Sequence, residues 1–425
     1  MPNTLDIYLY GARVATLAMV RASEYRLTYE DGWVGVPVSM SLPVAERIHK
    51  GGAVHSFIDN LLPDNPNVRE RWAVAAGLSN TEPFRLLAAY GQDVAGALRF
   101  VGPGGPPDSG SALAPVGDAG IADRIRAIRA DDSMWNTPEA TGRFSLGGAQ
   151  GKFALAHTDD GWFDPTGDQP STHIFKPQVR GLEDAELVEY VTMAVADLLD
   201  ISVANTTIAA FGTERTLVSE RFDRFVSLGR VQRIHQEDIC QALGVPRLRK
   251  YQSDGGPSLR DILGLFDRFD NRDDAESAKQ RFVQSMLYSW LVLNTDAHAK
   301  NFAVLHLPDR QILAPLYDMS SSLPYVTVPG QGFDNTNLSM RLVDSYRAGD
   351  MTRLEWWGAA RDARVNADRF LDWARAVAAA VPDLFDAVTD GLDLRYQTDV
   401  IRRLRERVRV RAARCGDALA DRDLV

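Results

Sequence analysis

Ser145-Leu146-Gly147-Gly148-Ala149-Gln150-Gly151-Lys152 sets three glycines among eight residues, between two β-like segments. Backbone N–H groups with no side chains in the way can approach phosphate oxygens closely, so the run reads as a phosphate-holding turn or as an ordinary tight hairpin. It is not a Walker A loop. That motif needs a glycine five residues before Gly151, where Leu146 stands, and a Ser or Thr after Lys152, where Phe153 stands. Further on, Asn294-Thr295-Asp296-Ala297-His298-Ala299-Lys300-Asn301 follows an apolar helical run. A carboxylate such as Asp296 can accept a hydroxyl proton while a neighbouring neutral oxygen, here Asn301, holds Mg²⁺; a helix C-terminus, where Asp, His and Asn are common, is the plainer alternative.

The five-residue separation of Asp296 and Asn301 is that between base and metal-binding Asn in protein-kinase catalytic loops. Asp318, in Leu316-Tyr317-Asp318-Met319, closes the strand-like QILAPL and can supply a second metal ligand, or be a solvated turn carboxylate. Lys176 is a single cation inside the apolar run THIFKP; facing solvent it is commonplace, and facing a cleft it binds phosphates. What decides between these alternatives is order. A Gly-rich turn, a strand Lys, a Glu-bearing helix, an extended ERFDR segment, D-x-x-x-x-N and a strand-end Asp follow one another as the parts of a kinase do.

The elements that must position these residues are legible in outline. Leu5, Ile7 and Leu9 alternate with Asp6, Tyr8 and Tyr10, and a turn at Gly11-Ala12 leads to a return strand at Val14. FIDNLLPDNPNVRERWAVAAGL gains helical periodicity after Asp64-Asn65-Pro66. Repeated Gly and Pro over 102–120 oppose a helix or central strand and place the main linker there. Short β-like runs and the helix DAELVEYVTMAVADLLD occupy about 140–225, and helices such as SAKQRFVQSMLYSWLVLNT dominate from about 235 onward. The chain is therefore expected to be α+β, with parts at 1–101, 102–120, 121–228 and 229–425.

Composition sets outer limits. The chain has 425 residues, 45% apolar and 24% charged, which excludes collagen-like and disordered classes. Cys240 and Cys415 cannot form a disulfide scaffold, and no run approaches the ~18 apolar residues of a membrane span. MPNTLDIYLYGARVATL has neither a basic n-region nor an unbroken apolar stretch, so a cytoplasmic protein without membrane partners is expected. A net charge of −10 opposes broad nonspecific nucleic-acid binding. TDVIRRLRERVRVRAARC carries seven arginines beside the stripe Ile401, Leu404 and Val408; it reads as an amphipathic surface helix rather than a DNA contact, and Trp356-Trp357 as core rather than a base-stacking platform.

Taken together, FIDNLLPDNPNVRER, GQDVAGAL, SLGGAQGK, THIFKP, VSERFDR, RIHQEDICQ, KYQSDGGPS, NTDAHAKNF and LAPLYDMSS give the chain, across nearly its whole length, a resemblance to the HipA family of serine/threonine kinase toxins. The resemblance implies a two-lobed protein-kinase-like fold, β-rich N-lobe and helical C-lobe, with an extra N-terminal β-rich subdomain. It implies ATP and Mg²⁺, with Asp296 as proton acceptor and Asn301 and Asp318 as metal ligands. Lys176 falls on the lysine that contacts ATP phosphates, and Glu220, Arg221 and Phe222 on the hinge that grips adenine through its backbone. Gly147, Gly148, Ala149, Gln150, Gly151, Lys152, Gln236, His298, Ala299, Lys300 and Tyr317 complete the implied nucleotide contacts, with His298 equally able to order its loop. Glu189, or Glu186 one turn earlier, would pair with Lys176.

Ser145 falls on the serine whose autophosphorylation inactivates family members. Gly151 and Phe153 stand where the family often has larger polar residues, which predicts a more flexible, less hydrophilic loop, and Ala297 stands where Gly is common. The implied substrate is a serine of an aminoacyl-tRNA synthetase, best known as the glutamyl enzyme, whose modification halts translation and produces growth arrest and drug tolerance. The implied partner is a helix-turn-helix antitoxin of the HipB type, through which DNA is met and the operon repressed. A small-molecule phosphotransferase and a catalytically idle corepressor are the competing functions. Residues 1–100 argue against the first, and the intact Lys176, Asp296, Asn301 and Asp318 against the second.

Overall fold

Alternating burial at the N-terminus produces the strand Thr4–Leu9, with Leu5, Ile7 and Leu9 buried. Its hairpin turns one residue earlier than the glycine suggested: Leu9 pairs with Ala12, and Tyr10 and Gly11 form the turn. Both have positive φ, 52° and 83°, the combination a two-residue type I′ turn requires. The computed structural model describes residues 3–105, 110–136, 144–326, 333–342 and 344–420. Those residues fall into two compact units. The first comprises 1–180, 207–248 and 303–309, and the second 181–206, 249–302 and 310–425.

In the first unit an antiparallel sheet runs in the order Ile48–Lys50, Glu24–Tyr29, Ala12–Arg21, Thr4–Leu9, Leu98–Val101. The helices Gly52–Asn60, Pro66–Ala75 and Pro83–Tyr90 belong to the same unit. Asn65 caps the second of them by accepting the Asn67 N–H, and Pro66 takes the first helical position, where its missing N–H costs nothing. A second sheet has the order Thr206–Phe211, Glu214–Glu220, His173–Pro177, Phe153–Thr158, Gly161–Thr166, Ala112–Pro115. One apolar core joins Leu5, Ile7 and Phe57 to Ile125, Phe153, Phe175 and Val218.

The Gly/Pro-rich stretch at 102–120 is structured at its far end, which corrects the expectation of unbroken linker. Residues 106–109 lie outside the described residues, but Ala112–Pro115 pairs with Gly161–Thr166 and the helix Asp118–Ala130 begins inside the stretch. The strand lies at the sheet edge and ends on Pro115, where proline removes no central ladder bond.

The second unit is helical: Ala185–Leu198, Leu259–Phe266, Arg272–Leu291, Arg353–Asp362, Ala367–Asp390 and Asp399–Leu419. Ala367–Asp390 packs against Ala185–Leu198, Arg353–Asp362 and Asp399–Leu419. On the arginine-rich last helix, Ile401, Leu404 and Val408 are buried as the stripe predicts. Its arginines do more than face water. Arg405 binds Asp386 and Asp390 at 2.8 and 2.7 Å, Arg407 donates to the Leu323 and Val326 carbonyls, and buried Arg411 lies over the Trp290 ring. Trp356 is core, and Trp357 lies under the Arg361 guanidinium. No helix among the described residues is long and apolar enough to cross a membrane.

Candidate active site

In the first unit the Gly-rich run is folded inward. The Ser145 N–H donates to the Asp93 carbonyl at 2.8 Å, and its hydroxyl to the Leu61 carbonyl at 2.8 Å. The serine is 0% exposed. Gly148 has φ +95°, and its carbonyl accepts the Asp64 N–H at 2.8 Å. Lys152 donates to the Gly147 carbonyl at 2.9 Å and sits over the Trp135 ring, closing the loop on itself. Ala149 is exposed, and Gly147 and Gln150 are half-buried.

The expectation that Gly151 loosens this loop is corrected. A Cβ there would come 2.5 Å from Ile128 Cγ2 and 3.2 Å from the Asp132 carbonyl, so glycine permits close packing of the helix Asp118–Ala130. Phe153 is likewise a core residue, stacked on Phe175 at 4.6 Å. Both departures from the family pattern serve packing. Lys176, on the central strand His173–Pro177, is only 6% exposed, which excludes the solvent-facing alternative.

The ERFDR segment carries a feature that local sequence reading missed. Arg221 donates to Asp223 Oδ1 and Oδ2 at 3.0 and 2.9 Å, to Ser171 Oγ at 2.9 Å and to the Val94 carbonyl at 2.8 Å. Arg224 reaches Asp93 Oδ1 at 3.0 Å and the Gly96 carbonyl at 2.9 Å. Asp93, Arg221, Asp223 and Arg224 are all buried. Burial alone would raise the Asp223 carboxyl, but Arg221 and Arg224 overcome it and hold it at about 2. The alternating charges of RFDR were the available local signal; Asp93, in GQD, lies far away in the chain. The Arg221 N–H donates to the Thr172 carbonyl and its own carbonyl accepts the Arg224 N–H, so its backbone is committed within the chain.

Gln236 lies on His235–Asp238, paired with Ala303–His306; its Nε2 donates to Asp223 and its buried Oε1 has no hydrogen-bond partner. Beside it, buried Glu237 accepts from Ser39, from the Met40 N–H at 2.8 Å and from His306 Nε2 at 2.8 Å. Burial, reinforced by His306, pushes the neighbouring His235 imidazole from 6.5 down to about 3. It stays neutral in the fold while the unfolded chain takes up a proton below about pH 6.5. The stability it contributes is therefore full above that pH and is lost as pH falls toward 3. Between pH 7 and pH 5 the urea-unfolding free energy should drop by about 2 kcal/mol from this group. A flat profile over that range would show the imidazole already charged in the fold.

In the second unit the main chain of 294–301 is tightly bonded. Asn294 Oδ1 accepts the Asp296 N–H at 3.2 Å, the Asp296 carbonyl accepts the His298 N–H and Asn301 Nδ2, both at 2.7 Å, and the Ala299 N–H reaches the Lys250 carbonyl. The Asp296 side chain is 58% exposed. His298 is buried with its ring edge-on to Tyr251 at 4.8 Å. Burial, then the Lys250 cation, push its imidazole down to about 3, so it stays neutral. Lys300 and Asn301 are buried, and the Lys300 carbonyl accepts the Tyr317 hydroxyl at 2.7 Å.

Leu316 is pinned to Ser202 and Ala204 by backbone bonds, and Asp318 follows in the left-handed region at φ +58°. Asn301 donates its amide nitrogen to the Asp296 carbonyl, so its oxygen is the atom that could meet a metal ion. No cluster of three or more His, Cys, Asp or Glu side chains that could hold a metal is found among the described residues. Hard oxygens on Asn301 and Asp318 without a protein cage fit Mg²⁺, which keeps several waters and shares its sphere with phosphates. Glu186 and Glu189, the two candidates for pairing Lys176, are both buried on the helix Ala185–Leu198 of this unit.

Compared with known proteins, residues 5–101 match the HipA N-terminal domain and residues 144–385 the HipA-like C-terminal domain. The chain is 30% identical over 421 residues, 94% of its length and 97% of the relative's, to a Sinorhizobium fredii protein named "Putative kinase Y4mE". It is 31% identical to the serine/threonine-protein kinase toxin HipA of Shewanella oneidensis, covering 75% of each chain. A solved structure of the Shewanella oneidensis HipA–HipB toxin–antitoxin system with its operator DNA superposes with a TM-score of 0.82, at 26% identity, over 98% of this chain and 97% of that one. These likenesses define a protein kinase of α+β, two-lobed kinase-like fold with an extra N-terminal β-rich subdomain. The chain belongs to the HipA family.

Proposed function

We propose that this kinase is a toxin that transfers the γ-phosphate of ATP to a serine of an aminoacyl-tRNA synthetase, the glutamyl enzyme first among them, and so arrests translation and growth. The observation that carries the chemistry is the catalytic loop, in which the main chain of Asp296 is fixed while its carboxylate stays open to solvent. Asp296 takes the proton from the attacking serine hydroxyl. Asn301 and Asp318 hold Mg²⁺, which when bound neutralises charge on the phosphates. Lys176 contacts the phosphates, the hinge of Glu220, Arg221 and Phe222 holds adenine, and the unpartnered Oε1 of Gln236 suits a donor on the base. A HipB-type antitoxin neutralises the toxin and carries it to DNA; support comes from the Shewanella complex, which contains HipA, HipB and operator DNA.

Ser145 is the proposed autophosphorylation site. Its buried hydroxyl lies on the Leu61 carbonyl, so a phosphate carrying about −1.5 to −2 charges has no room there and the loop must leave. Ser145→Ala should therefore keep purified kinase active for longer during incubation with ATP. Loss of activity at the wild-type rate would remove Ser145 from this role. The function itself is tested by expression in a bacterial host. The wild-type chain should arrest growth, a co-expressed cognate antitoxin should relieve the arrest, and Asp296→Asn should be harmless. Equal arrest by Asp296→Asn would contradict catalysis as the cause.

A further inference from the structure

We propose that Tyr251 is a positioning residue for phosphoryl transfer, holding the carboxylate of Asp296 in the orientation that meets the acceptor hydroxyl; the proposal rests on Asp296 being the base. The bonds from Asn294, His298 and Asn301 all act on the main chain of Asp296. The terminal torsion of an aspartate is broad and roughly two-fold, so its setting depends on contacts made to the carboxylate itself. The Tyr251 hydroxyl donates to Asp296 Oδ1. His298 Nε2 is 3.7 Å from the same oxygen, beyond hydrogen-bond reach, so the phenol and not the imidazole aligns the carboxylate.

Tyr251 can do this because it is itself fixed. Its carbonyl accepts the Asp254 and Gly256 N–H groups at 3.1 and 2.9 Å. The turn is so close that a Cβ on Gly256 would lie 2.0 Å from the Arg249 carbonyl. The preceding Lys250 carbonyl accepts the Ala299 N–H at 3.2 Å, tying this turn to the catalytic loop through the backbone. The ring meets the buried His298 edge-on. Tyr251 thus reaches Asp296 from an anchored turn, as a fixed donor.

The test is single-turnover consumption of γ-labelled ATP by the full chain, giving a maximal rate and a half-saturating ATP concentration whatever the acceptor. Tyr251→Phe keeps the ring against His298 and removes only the hydroxyl. Its maximal rate should fall about tenfold, as misorientation of a base predicts, with half-saturating ATP and melting temperature unchanged. Added to Asp296→Asn, it should leave that variant's residual rate as it was, since the phenol acts only through the carboxylate. A wild-type or raised rate in Tyr251→Phe, a further loss on the Asp296→Asn background, or phosphate recovered on Tyr251 would each overturn the proposal. A wild-type rate in Asp296→Asn alone would instead show that the base is another residue.

Discussion

Asp296→Asn retains ATP binding and loses phosphoryl transfer by at least about 100-fold, with general-base assistance worth about 10²–10⁴ in rate. The substitution changes one oxygen for an amide nitrogen of similar size. Bonds to Asn294, His298 and Asn301 use the main chain at this position and survive it. The side chain is mostly exposed, so no buried group is stranded and the melting temperature should hold. Rapid-quench measurement of labelled phosphate, beside nucleotide binding by the same protein, separates the two effects. Equal loss of ATP binding would assign Asp296 to the nucleotide instead of the acceptor.

The largest expected loss of stability is at Asp93. Asp93→Ala removes an anion that Arg224 contacts at 3.0 Å and Arg221 at 3.4 Å, in a cluster closed to water. Burial would raise the Asp93 carboxyl, and Arg221, Arg224 and Arg233 hold it below its ordinary value instead. Without it, Asp223 alone faces arginines that cannot shed their protons. Breaking a buried pair by removing one partner costs about 3–5 kcal/mol, a large part of the ~5–15 kcal/mol that holds a folded domain. Urea denaturation should show that loss at unchanged slope. Glu30→Ala, which breaks a half-exposed pair with Arg13, should cost less than about 1 kcal/mol. Equal costs at the two sites would mean that the buried cluster is not sealed from solvent. Because Arg221 and Arg224 flank Phe222, the same cluster sets the hinge on which nucleotide binding is proposed to depend.

The candidate site residues could be picked out from local pattern because their signals are local. The D-x-x-x-x-N spacing lies within one loop, Lys176 within one strand, and the Gly-rich run directly before the strand Phe153–Thr158. Other features depend on partners far along the chain. Asp93 and Arg221 are 128 residues apart and Tyr251 and Asp296 are 45 apart, separations that leave no periodicity to detect. Gly151 illustrates the same limit. A glycine in a loop suggests freedom, and only the approach of Ile128 shows that it is there for packing. The strand Ala112–Pro115 was hidden by its composition, since a four-residue edge strand needs little β propensity once Gly161–Thr166 offers it a ladder.

The most direct measurement is transfer of label from γ-labelled ATP, with Mg²⁺, to a panel of aminoacyl-tRNA synthetases each supplied with its tRNA. The prediction is phosphate on a serine of one synthetase, with loss of its aminoacylation activity, and no such label when Asp296 is replaced by Asn. Label confined to small molecules, or a synthetase labelled equally by the Asp296→Asn chain, would contradict a synthetase-directed kinase acting through this loop.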